Sequence, residues 1–292
     1  MHRSKQLKIL YLQRCQEQKY GKECILTQIT NNHSMEYGII VAEATSQRKK
    51  PDHKSEMTNQ LLFGEIVSIV TIKNEWAEVI SYPDNYCGFI LKDHILDAEK
   101  TKPEDIFSCQ NAITSQITKA TKPNAPDETI VLPPGSRLYD YSNGEFRVKG
   151  QIFFCDTSKV TIMGERTGNT IITYAESLLN TPYLWGGKTP FGMDCSGFVQ
   201  VVFRMAGIEL PRDAWQQAQR GFAQDFASES KPGDLAFFGE ENEQITHVGI
   251  VDSNNTIIHC SGKVRRDKLD HYGIFDGKRY THKLRLLTKI KN

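Results

Sequence analysis

The stretch TPFGMDCSGFVQVVF, residues 189–203, decides the fold. It sets a cysteine between an acid and a Ser-Gly pair, after a loop with Pro190 and Gly192 and before an apolar run. Phe198, Val201, Val202 and Met205 follow at i, i+3, i+4 and i+7, the spacing of one buried helical stripe. Asp194 suits the N-cap, where a side-chain oxygen accepts from free backbone N–H groups. Gly207 suits the stop. Cys195 is then expected in the first turn, beside about half a positive charge. A free thiol titrates at about 8.5 and one at a helix start at roughly 3.5–7.5, so a thiolate is expected here. The plain alternative is a small buried residue.

A nucleophile needs a base. THVGIV places His247 on an expected strand, and TIIHCSG places His259 at the end of the next. Helix-start Cys plus two His on successive strands matches nucleophile, base and orienter. If the strands form an antiparallel hairpin with the two His directly opposite, residue 253 is the midpoint and the loop has an odd count. An even loop turns the imidazoles to opposite faces. Zinc is the competing use of Cys195, His247 and His259, but no fourth close ligand stands out. No metal and no cofactor is expected.

Outward from this core, NTIITYAESLLN (169–180) has apolar residues at near-helical period, with Asn169 or Thr170 as the expected cap. LPRDAWQQAQRG reads as a short helix, and DLAFFG, THVGIV and TIIHC as strands. Helices followed by strands indicate an α+β domain over 166–292. Upstream, YGIIVAEAT, LLFGEIVSIVTI, WAEVISY and YCGFIL are short β-type runs separated by polar turns. ETIVLPPGSRLYDYSN and EFRVKGQIFFC form a second set, with TKATKPNAPDE (118–128) read as a loop. Two small β-barrels are expected, over 23–105 and 106–165, behind a helical extension at 1–22.

The 292 residues carry 36 Lys plus Arg against 35 Asp plus Glu, so the +1 balance gives no electrostatic case for nucleic acid. The seven cysteines contain no C-x-x-C pair and fit a reducing compartment better than a disulfide framework. The N-terminal apolar run, Ile9 to Leu12, is too short for a signal-peptide core, and no run approaches a membrane span. A cytoplasmic location without membrane insertion is the expectation.

YLWGGKTPFGMDCSGFVQ, LPRDAWQQA, KPGDLAFF, THVGIV and IIHCSG, in this order and spacing, resemble the NlpC/p-sixty family of cell-wall cysteine peptidases across roughly 165–292. The resemblance implies a papain-like α+β fold, with Cys195 as nucleophile, His247 as base and His259 as orienting residue. Tyr183 resembles the tyrosine that helps stabilise the oxyanion; packing beside Trp185 is its other reading. SEMTNQLLFGE and YPDNYCGF resemble the first bacterial SH3-like domain of the subgroup that cleaves γ-D-glutamyl to diamino-acid bonds. There the SH3-like domain helps close the cleft, and Glu56, Tyr86, Asp194 and Ser196 look like the contacts to the substrate's free amine. Glu56 is expected near Asp194, with Tyr86 alongside. Two departures stand out: Ala214 occupies a position where the subgroup has serine, and Gln47 to Lys50 is poor in apolar residues for a barrel.

The implied function is a murein-peptide recycling endopeptidase that cuts after D-Glu in L-Ala-γ-D-Glu-diamino acid, with a murein-derived peptide as its partner. The alternatives are a non-catalytic cell-wall-binding module, and an amidase or acyltransferase using the same Cys-His pair.

Overall fold

The computed structural model describes residues 36–97, 106, 109–148, 150–162, 167–224, 230–253 and 255–290. The helical extension expected at 1–22 lies outside these residues, as do positions 98–105 and 163–166, where the expected domain boundaries fall.

Seven antiparallel strands between Glu36 and Asp97 form the first sheet, in the order 3-2-6-5-4-1-7 counted along the chain. Ile40, Leu61, Val67, Ala77, Val79 and Ile90 fill its core. The apolar-poor segment Gln47 to Lys50 straddles a strand end: Gln47 and Arg48 close the strand Ala44–Arg48, and Lys49 and Lys50 bend away from it. Gln47 is fully buried there because its amide is satisfied: Nε2 donates to the Tyr86 carbonyl at 3.0 Å and Oε1 accepts from Asn59 Nδ2 at 2.8 Å. Asn59 lies on β1, Met57–Leu62.

Residues 110–162 form sheets of four and three strands around one core that includes Leu132, Leu138, Phe146 and Phe153. The stretch read as a loop at 118–128 is largely strand, with Thr118–Lys122 paired to Ala125–Leu132. Thr118 and Ala120 turn inward while Lys119 faces water, an alternation hidden by the low hydrophobicity of threonine and alanine. Phe63, from the first sheet, enters this core and lies edge-on to Phe146 at 6.1 Å.

The third part opens with α1, Gly168–Ser177, capped by Thr167 rather than by Asn169 or Thr170: the Thr167 hydroxyl accepts from the Thr170 N–H at 3.1 Å. The central helix α2, Cys195–Met205, and the short α3, Ala214–Gln217, follow. Seven strands then close the fold: β2 (Phe222–Gln224), β3 (Leu235–Phe238), β4 (His247–Val251), β5 (Thr256–Ser261), β6 (Lys263–Leu269), β7 (Gly273–Phe275) and β8 (Tyr280–Lys289). The sheet order is β2-β8-β3-β4-β5-β6-β7, and β7 also pairs with β8.

The stripe expected on α2 is present, yet every residue of the helix is buried. Val199, Val202, Val248, Ile250 and Ile258 belong to one apolar cluster, which Leu62 of the first sheet joins. Towards the N-terminal sheets the helix presents Gln200, bonded to Asp84 at 3.0 Å, and Arg204, bonded to Glu65 at 2.8 Å. Gly207, at φ +75°, ends it, with the Gly207 and Ile208 N–H groups returning to Arg204 and Phe203 carbonyls. Among the described residues no helix is long and apolar enough to cross a membrane.

The N-terminal part and α2 share a buried ionic cluster. Glu65 Oε1 accepts from Lys188 Nζ at 3.1 Å and from Arg204 Nη1 at 2.8 Å, while Arg137 Nη2 sits 2.8 Å from Glu209. Burial alone would raise Glu65, but Arg204 and Lys188 hold it well below the carboxylate range. Burial brings Lys188 down to about 8 against the pull of Glu65.

Candidate active site

Cys195 begins α2, and Asp194 is its N-cap, with Oδ1 accepting from the Gly197 N–H at 2.6 Å. The expected thiolate is not what the surroundings favour at rest. Burial and the adjacent Asp194 push the thiol up to about 12, against the Val248 N–H, Arg212 and the Ser196 N–H. Desolvation, which depends on the finished packing, outweighs the helix-start field.

Val248, whose N–H meets this sulfur, directly follows His247 on β4. His247 is buried, and burial, then His282 and His259, hold it well below 6.5. Burial thus favours the neutral form at both His247 and Cys195. His247 Nε2 lies 2.9 Å from His259 Nδ1. The two residues are not directly opposite: Gly249 pairs with His259, so His247 is one diagonal step away. Five residues, 252–256, separate the last paired positions, Val251 and Ile257. The odd count keeps both rings on one face.

Two neighbours were not marked by sequence reasoning. His259 Nε2 lies 3.0 Å from Asp267 Oδ2 on β6, and the His282 ring stacks on His247 with centroids 4.1 Å apart. His282 is brought down to about 4, chiefly by burial. Among the described residues, His247, His259 and His282 offer nitrogen atoms within 4.8 Å of one another. The rings of 247 and 282 are only 23° from parallel, so their in-plane lone pairs run side by side. Zinc needs lone pairs that converge at about 2.0–2.1 Å. With His247 and His259 already hydrogen-bonded, this cluster fits proton transfer and not a metal.

Asp194 and Ser196 meet at the helix start, but around a residue to which no role was given. Arg212, fully buried, donates through Nη1 and Nη2 to the two Asp194 oxygens, through Nη1 to Ser196 Oγ at 2.8 Å, and through Nε to Asn59 Oδ1 at 2.7 Å. Asp194 Oδ2 also accepts from the Gly186 N–H at 2.8 Å. Tyr86 is buried and close enough to raise Arg212 further. Glu56 does not join Asp194 directly. Its carboxylate accepts from Trp185 Nε1 at 2.9 Å and lies 3.6 Å from Lys49, and the Trp185–Gly186 step links it to Asp194. Gly186 has φ +77° and backs onto β1; a Cβ there would meet the Met57 carbonyl at 2.6 Å. Tyr183 is 38% exposed, and its phenol is raised by burial and then by Cys195.

A buried thiol at a helix start, a neutral histidine one residue from the N–H that meets it, and a second histidine behind the first define a cysteine-nucleophile hydrolase site. Comparison with known proteins gives the family. Residues 180–285 match the NlpC/P60 family, and residues 48–95 match the bacterial dipeptidyl-peptidase Sh3 domain. The gamma-D-glutamyl-L-lysine dipeptidyl-peptidase of Bacillus subtilis (strain 168) is 33% identical over 217 residues, 68% of this chain and 71% of that protein. Its namesake from Bacillus cereus (strain ATCC 10987 / NRS 248) is 28% identical over 229 residues, 70% and 67% of the two chains. The crystal structure of an NlpC/P60 family protein from Bacillus cereus ATCC 10987 superposes with a TM-score of 0.72 over 87% of this chain and 99% of that one; at 18% identity it speaks for the fold. The chain belongs to the NlpC/P60 family and is a cysteine peptidase with an N-terminal SH3-like domain.

Proposed function

We propose that this peptidase hydrolyses the γ-D-glutamyl–diamino acid bond of murein peptides that carry a free N-terminal L-Ala. His247 takes the Cys195 proton as the sulfur attacks the γ-carbonyl. The C–N bond then breaks, and the leaving amine receives that proton from His247. Water, deprotonated by the same histidine, then attacks the thioester carbonyl; the C–S bond breaks, L-Ala-D-Glu leaves with a free γ-carboxylate, and the histidine returns its proton to the sulfur. Tyr183 donates to the oxyanion. The names of the Bacillus relatives support the bond class.

The observation that carries the reading is the contact between the first sheet and the helix start. Glu56 on Trp185, Met57 against Gly186, and Asn59 on Arg212 tie the first sheet to the residues that hold the Asp194 cap, and we take them as a wall on one side of the cleft. A wall that close suits a peptide ending after one or two residues and excludes a peptide still joined to glycan. Asp194 is already neutralised by Arg212, so Glu56 is the carboxylate that meets the substrate's ammonium, with the Ser196 and Tyr86 hydroxyls near Arg212 as further polar contacts. The test is incubation with L-Ala-γ-D-Glu-L-Lys and its diaminopimelate analogue, each with free and with acetylated amine, read by mass spectrometry. Release of L-Ala-γ-D-Glu from the free-amine peptides alone is the expected result. Equal rates on free and acetylated forms would remove the proposed wall from the specificity.

A further inference from the structure

We infer that Asp267 is a positioning residue that sets the proton positions of both histidines and so turns His247 into a base. The inference rests on the roles of Cys195 and His247 proposed above.

The argument follows the hydrogen bonds inward. Asp267 lies on β6 opposite Ile257, and Arg265 lies opposite His259, so the carboxylate reaches His259 along a diagonal. Burial raises Asp267, but the hydrogen bond from His259 and the Arg265 cation outweigh this, and the carboxyl stays ionised. An ionised carboxylate only accepts. The proton in the 3.0 Å contact therefore belongs to His259 Nε2. A neutral His259 is then bare at Nδ1 and must accept across the 2.9 Å contact from His247 Nε2–H. Nδ1 is the one lone pair left on His247 for the thiol. Without an acceptor at 267 the pair has a second arrangement: His259 carries its proton on Nδ1, and His247 accepts on Nε2 and holds its own proton on Nδ1. That tautomer cannot take a proton from sulfur.

Arg265 adds a constraint. Its Nε lies 2.9 Å from Asp267 Oδ2 without aiming its hydrogen there, so the contact is ionic. A cation in that place favours an oxygen over an amide NH₂ at position 267, which predicts that Asn retains the acceptor and loses only the charge. The other titratable groups facing the pair are His282 on β8, Arg265 itself and, beyond Asp267, Asp276; Phe238 on β3 contributes an apolar ring.

The experiment compares wild type with Asp267→Ala, Asp267→Asn and Asp267→Glu, each checked for an unchanged melting temperature. Long-range ¹H–¹⁵N spectra of the histidines, recorded without substrate, read the tautomers directly. Wild type and Asn are expected to show Nε2–H on both rings, and Ala a mixture. On a cleaved peptide, Ala should lose about 10–100-fold in kcat with little change in KM, the usual effect of losing a group that orients a functional histidine. Asn should lose less. Removing the negative charge makes an imidazolium costlier, so the acid limb of the Asn pH–rate profile should move to lower pH. Glu should recover part of the Ala loss. Wild-type tautomers and wild-type kcat in Asp267→Ala would overturn the inference. The spectra need no substrate, so an error in the choice of peptide cannot be mistaken for an error here.

Discussion

Cys195 and Cys260 differ less than their fates suggest. Both are buried, at 7% and 0% exposure, and both belong to the same apolar cluster. Burial is the first cause that pushes each thiol up to about 12. The difference is the direction of the hydrogen bonds. Cys260 donates its S–H to the Met193 carbonyl at 3.1 Å, which suits a permanent thiol. Cys195 faces the N–H groups of Val248 and Ser196 and the Arg212 cation, which lower it. Neither burial nor resting ionisation marks the nucleophile. What marks it is a set of donors waiting for an anion that forms only during reaction.

That comparison can be broken in several places. The largest expected effect is that of Cys195→Ala: no turnover, with substrate binding and melting temperature close to wild type, measured by mass spectrometry and calorimetry. Next is His247→Ala, expected to cost about 10²–10⁴-fold in kcat as the loss of a general base; His259→Ala should cost less, since it leaves the base in place. Steady-state kinetics on one peptide separates the two.

A third test concerns the resting thiol. Alkylation of Cys195 by iodoacetamide should keep rising with pH between about 6 and 9, as for a thiol raised above its ordinary value. A plateau across that range would signal a preformed thiolate–imidazolium pair and undo the neutral-pair reading. The same two thiols give a stability test. Above 9.0 the unfolded chain sheds protons that the fold retains at both cysteines, so stability is full below 9.0 and declines as pH rises toward about 12. Urea midpoints across this range should fall less in Cys195→Ala and in Cys260→Ala than in wild type. The smallest effect is that of Cys260→Ala at neutral pH, about 1 kcal/mol of stability, with kcat nearly unchanged.

The helix-start cysteine, its cap, both histidines and their common face were legible because each rests on a short local pattern: an acid before an apolar stripe, or two histidines on one hairpin. The diagonal register between His247 and His259 was not, since parity survives a two-residue shift. Arg212 was passed over because its partners, Asn59 and Asp194, are 153 and 18 residues away and no periodicity connects them. Asp267 was passed over because it sits in an unbroken run of charged residues, Arg265 to Lys268, that looks like a solvated face, and only pairing with β5 aims that carboxylate at His259. The loop at 118–128 concealed strands because its inward residues are threonine and alanine. The helix-start field at the thiol is visible in sequence, whereas the desolvation that opposes it is a property of the packed site.

The ionic cluster around Glu65 bears on how such a protein can be taken apart. A fragment beginning at residue 166 would keep Lys188 and Arg204 yet lose the carboxylate that answers them across 123 and 139 positions of chain. Their burial would go with that carboxylate: the seam would open to water, Lys188 and Arg204 would become solvated cations, and Arg204 would keep only Glu209, 3.6 Å away. Grafting this peptidase domain onto a foreign anchor, or trimming it for expression, therefore exposes a face built to be covered, including the apolar cluster that Leu62 and Ile113 help to fill. The front half of the chain is part of the enzyme's hardware and cannot be treated as a detachable handle.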